Sequence, residues 1–181
     1  MSDKTSKKIL IIIANKDFRD EEYFVTKEIL DNAGFVTITA SDQENQAIGA
    51  DGGQASVDLK LENVKVEDYD AIVFIGGPGT LQRLDNQTSY QIIQNTTAQN
   101  KLLASICISP IILARAGVLK GKNATVWTST LDKSAAKILK DNGANFIDKL
   151  VVQDGKIITA NGPEAAKEFG ETIKNMLNED L

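Results

Sequence analysis

The 181-residue chain contains no histidine, and that absence excludes every catalytic scheme that moves a proton through an imidazole. Only one cysteine is present, so neither an internal disulfide nor a thiolate zinc site can form. Proline is scarce at three, and no apolar run nears the roughly 20 residues of a membrane span, so no membrane partner is expected. The start, "MSDKTSKK", lacks the apolar core of a signal peptide, which makes the cytoplasm the expected compartment. A net charge of −5, with the lysines scattered, offers no basic stripe for nucleic acid. Any chemistry is left to the cysteine, carboxylates, hydroxyls, lysines and backbone.

What remains is an alternation. "ILIIIA" (9–14), "FVTITA" (35–40), "AIVFIG" (71–76) and "LLASIC" (102–107) are short β-branched apolar runs, as buried parallel strands should be. Helical patterns separate them. The first, "DEEYFVTKEILDNAG", opens on acids and stops at Gly34, with Val25, Ile29 and Ala33 on one stripe. Another begins near Thr88, one follows Ser109 as N-cap and Pro110 as first helical residue and ends at Gly117, and others cover about 131–142 and 164–178. The order predicts a single α/β domain over residues 1–181, doubly wound around a mostly parallel sheet, with residues 1–7 and 179–181 frayed. Two hairpin-like stretches, 46–59 and 146–160 around Asp154-Gly155, read as additions at the sheet margin.

Ligands of such sheets bind beyond the carboxyl ends of the strands, which directs attention to three loops. After the first strand, Glu22 lies three residues before Val25 and seven before Ile29, and so continues the inward stripe. Two readings stand: an acid complementing the helix dipole, or a partly buried acid with a raised pKa that relays protons. After the third strand, Gly76, Gly77 and Gly79 in "IGGPGT" either form an ordinary turn or bring backbone N–H groups close to a ligand; no dinucleotide or P-loop spacing is present. After the fourth strand, Cys107 is either a small buried hydrophobe or the nucleophile of a strand-to-helix elbow. On the second reading the helix that follows lowers its pKa below the ordinary value of about 8.5.

With "YDAIVFIGGPG", "LLASICISPIILARAGVLKGKNAT", "DGKIITANGP" and the first strand and helix in view, the sequence resembles the DJ-1/PfpI superfamily from Ile9 to about Leu177. The resemblance implies a flavodoxin-like sandwich, a homodimer, no cofactor, and no metal. It makes Cys107 the nucleophile and Glu22 its acid partner, gives the oxyanion to the N–H groups of Gly77 and Ile108, and lets Gly76, Trp127 and Asn161 border the pocket. Where many relatives have His or Ala and then Gly after the cysteine, this chain has Ile108 and Ser109; where many have an arginine near the end, it has Asn161. The activity implied is cofactor-free conversion of a small reactive carbonyl, a 2-oxoaldehyde such as methylglyoxal, to a hydroxy acid. A redox-sensing or chaperone-like module built on oxidation of Cys107 uses the same residues and stands as the alternative. Peptide hydrolysis fits less well, because one carboxyl would have to serve as both acid and base. A glutamine amidotransferase reading fails for want of histidine.

Overall fold

The computed structural model describes residues 6–179. In chain order it contains β1 (Lys8–Ile13), β2 (Lys16–Phe18), α1 (Asp20–Asn32), β3 (Val36–Ser41), β4 (Asn45–Gly49), β5 (Gln54–Val57) and β6 (Leu59–Lys60). There follow β7 (Ala71–Phe74), α2 (Thr80–Leu84), α3 (Gln87–Ala98), β8 (Leu102–Ile106), α4 (Pro110–Arg115) and β9 (Asn123–Ala124). The chain closes with α5 (Ser134–Asp141), β10 (Asn145–Phe146), β11 (Val151–Asp154), β12 (Ile157–Ala160) and α6 (Ala166–Glu179).

The central sheet runs β11-β12-β8-β7-β1-β3-β6, parallel throughout except for the edge strand β11. Its five long parallel strands therefore follow the flavodoxin-like order, in which the chain reverses direction across the sheet at β1. Alternation along β1 divides the core. Leu10 and Ile12 join α3, α4 and α5 on one face, and Ile9, Ile11 and Ile13 join α1 and α6 on the other. Because both faces are covered, β1, β7 and β8 read as continuous apolar runs.

Several sequence expectations change. The buried stripe of α1 is Glu22, Thr26 and Leu30 with Tyr23, not Val25, Ile29 and Ala33. Ile29 instead packs against α6, where its Cδ1 stands 2.9 Å from the place a side chain on Gly170 would begin. Residue 131 does not open a helix: α5 begins at Ser134, and Leu131 is 99% exposed. The 151–160 hairpin is more than a marginal addition, since β12 pairs directly with β8 beside the elbow. The other hairpin, β4–β5, does stand apart, in a small sheet with β2. Of the tails expected to fray, residues 1–5 and 180–181 lie outside the described residues. Lys7, by contrast, is tied down, its Nζ donating to Leu177 O at 2.5 Å. No helix among the described residues is long and apolar enough to cross a membrane.

Candidate active site

Cys107 directly follows β8 in a left-handed conformation, φ 64°, which a non-glycine residue adopts at a cost of about 1–3 kcal/mol. The surroundings hold it there from both sides. Its N–H donates to Ala160 O at 2.9 Å, and its carbonyl accepts from Trp127 N–H at 2.8 Å. Ser109 precedes α4 as expected, but its hydroxyl makes no capping bond. Fully buried, it turns back under the elbow, accepting from Ile106 N–H at 3.0 Å and lying 2.7 Å from Ile106 O and 3.0 Å from Phe74 O. The hydroxyl thereby ties the end of β8 to the end of β7.

Glu22 arrives from the first turn of α1 and is fully buried. Its Oε2 accepts the Gly76 N–H at 2.9 Å, while its Oε1 has no hydrogen-bond partner among the described residues, and the carboxyl and the Cys107 thiol influence each other's ionisation. Gly76 is the spacer between them. A Cβ there would stand 2.5 Å from Cys107 Cβ, 2.8 Å from Ile106 O and 2.9 Å from Glu22 Oε2, so no side chain fits. Gly77, at φ 127°, has its own requirement: a Cβ would lie 2.4 Å from Arg19 N and 2.5 Å from Asp17 O.

Burial raises the Glu22 pKa from an ordinary 4.5 to about 7, against the lowering effects of the Cys107 and Gly76 hydrogen bonds and of Arg19. Burial also pushes the Cys107 thiol up, and repulsion by the Glu22 carboxylate and the hydrogen bond between the two push it further. This corrects the expectation of a depressed thiol pKa. The Ile108 N–H and the Arg19 charge act in the lowering direction, but they do not offset burial next to a carboxylate. Near neutral pH the thiol therefore keeps its proton, and Glu22 is the group that takes up and releases one.

Beside the elbow lies a cleft of about 420 Å³ lined by Trp127, Thr128, Asn161, Gly162, Pro163 and Glu164. Trp127 and Asn161 line this cleft, Cys107 and Glu22 do not, and Gly76 is packed between the pair rather than lining it. Cys107 is 8% exposed, so its approach is narrow. Ile108 packs against both halves of the core, and its N–H is directed at the Cys107 sulfur. Among the described residues the Gly77 N–H has no hydrogen-bond partner. The sequence reading missed Arg19. Its N–H donates to Gly76 O at 2.8 Å, and its charge is felt by both members of the pair. A signal was present: a cation directly ahead of three acids at a helix start opposes the helix dipole and so calls for another reason.

The arrangement is that of a strained cysteine elbow at the switch point of a doubly wound sheet, served by a buried acid from the first helix. Comparison with known proteins gives the family. The DJ-1/PfpI family model matches residues 7–176, and the chain belongs to that family. It is 39% identical to an uncharacterized protein of Methanocaldococcus jannaschii over 169 residues, covering 92% of this chain and 81% of that one. An uncharacterized Staphylococcus aureus protein is 35% identical over 176 residues, covering 95% and 99%. Among solved structures, a ThiJ/PfpI domain protein from Brachyspira murdochii superposes with a TM-score of 0.91 at 30% identity, covering 97% of this chain and 98% of the other. DJ-1beta of Drosophila melanogaster gives 0.84 at 28% identity, covering 96% and 91%.

Proposed function

We propose that the protein is a cofactor-independent thiol enzyme that converts 2-oxoaldehydes such as methylglyoxal to 2-hydroxy acids. The observation that carries the reading is the buried Glu22 carboxyl beside Cys107, with one oxygen held by Gly76 N–H and the other without a nitrogen or oxygen donor. A carboxylate so placed is a base for the thiol and, once protonated, an acid for the adduct.

In the proposed sequence Cys107 sulfur attacks the aldehyde carbon while the thiol proton passes to Glu22. The developing oxyanion takes hydrogen bonds from the Gly77 and Ile108 N–H groups and then receives the proton from Glu22, giving a hemithioacetal. Glu22, again a carboxylate, removes the proton from the former aldehyde carbon and returns it to the neighbouring carbonyl carbon, while the hemithioacetal hydroxyl proton passes to the neighbouring carbonyl oxygen. The product is a thioester of the hydroxy acid. Water cleaves it, releasing lactate from methylglyoxal and restoring the thiol, so that one water is added per turnover and no electron acceptor is needed.

The alternative, a redox or stress module, needs a thiol that peroxide oxidises directly. Thiolate is the form peroxide attacks, and burial with a facing carboxylate holds Cys107 protonated at rest, which favours the enzymatic reading. The proposal also takes the working unit to be a homodimer acting on a small carbonyl in a reducing cytoplasm; sedimentation equilibrium tests the first part. The main test is lactate formation from methylglyoxal with no added metal or thiol. Wild type is expected to turn over, and Cys107→Ser and Glu22→Gln to lose activity at least about a hundredfold, the low end of what positioned acid-base groups supply. Equal rates in wild type and Glu22→Gln would remove the carboxylate from the mechanism.

A further inference from the structure

Arg19 is fixed at the entrance to α1 by its backbone, with its N–H on Gly76 O and its main chain against Gly77. Its side chain is less settled. Nη1 lies 3.6 Å from the Asp51 carboxylate, which is 65% exposed, a loose surface pair of the kind that contributes little. Nε is buried and, among the described residues, has no hydrogen-bond partner. A planar guanidinium whose Nη1 has only a long, exposed ion pair can exchange that partner for an oxyanion. Its position matters as much as its state, because it stands beside the glycine strip assigned to the oxyanion. Asn161, on the cleft wall, supplies no charge.

We infer that Arg19 is a specificity-determining residue that selects substrates carrying a carboxylate or phosphate next to the reactive carbonyl, its guanidinium exchanging Asp51 for the substrate's anion. The inference deepens the reading of Cys107 as a nucleophile and rests on it, but it does not require that the product be a hydroxy acid.

The test uses two alkylating agents of nearly equal size, iodoacetate and iodoacetamide, reacting with Cys107 in the full chain and followed by intact mass. Both consume the same thiolate, so any effect of Arg19 on thiol ionisation cancels in the ratio of their rates, and the ratio reads only the response to charge. Arg19→Gln is expected to lower the iodoacetate-to-iodoacetamide ratio about tenfold relative to wild type, Arg19→Lys to restore about half of the loss, and Asp51→Asn to raise the ratio by freeing the guanidinium. Protection of Cys107 from iodoacetamide by acetate points to a carboxylate, and protection by inorganic phosphate points to a phosphate ester; either should vanish in Arg19→Gln. A ratio within about twofold of wild type in folded Arg19→Gln and Arg19→Lys, with no protection by either anion, would overturn the inference. Failure of methylglyoxal turnover with a shifted ratio would count against the 2-oxoaldehyde reading alone.

Discussion

At the scale of single residues, Glu22 makes the most specific demand. An acid whose pKa is raised on folding from 4.5 to about 7 binds more protons in the folded than in the unfolded chain between those values, so stability falls as pH rises through that window. The full difference amounts to about 3 kcal/mol, present below the unfolded pKa and lost above the folded one. Urea unfolding of the wild type is expected to show this decline from pH 4.5 toward pH 7, and Glu22→Gln is expected to flatten it. A wild-type profile that rises over the same range would mean that the carboxyl is stabilised as an anion. The thiol adds nothing to this slope, because it stays protonated throughout the window.

At the scale of elements, the sharp turn from β8 into α4 depends on Ser109. Its hydroxyl takes Ile106 N–H from within the elbow, a fully buried arrangement. Ser109→Ala is expected to cost about 1–3 kcal/mol, because a buried donor loses its partner. It is also expected to slow Cys107 alkylation by iodoacetamide as the elbow loosens; unchanged stability would show that the hydroxyl is dispensable. None of this was legible in the sequence, where Ser109 before Pro110 reads as an ordinary helix cap. The same limit applies to α1. Its inward face is set jointly by the sheet and by α6, and the glycine at position 170 lets Ile29 settle into the helix–helix contact, so a stripe counted from aliphatic residues alone falls on the wrong side. Glu22 was still found, because it borders both the inferred and the actual stripe.

At the scale of the whole molecule, the order of strands was readable because parallel strands buried on both faces leave continuous apolar runs, and four such runs alternate with helices. The order across the sheet was not readable from periodicity; it came with the resemblance. Cys107, Glu22 and the Gly76–Gly77 turn converge because β1, β7 and β8 are neighbours whose carboxyl ends face the same side. Arg19 and the 2.4–2.7 Å approach of Gly77's would-be Cβ to residues 17–19 belong to that convergence and appear only in three dimensions. On the proposed mechanism, this end of the sheet runs base chemistry with a carboxylate in place of a histidine.

The measurement that bears on it most directly is the pH dependence of methylglyoxal conversion to lactate, taken as kcat/KM in wild type and Glu22→Gln. The account predicts a rate that rises with unit slope and levels off above about pH 7, as Glu22 becomes the carboxylate that accepts the thiol proton, with no such step in the variant. A wild type that forms no lactate, or a Glu22→Gln profile that keeps the step, would contradict it.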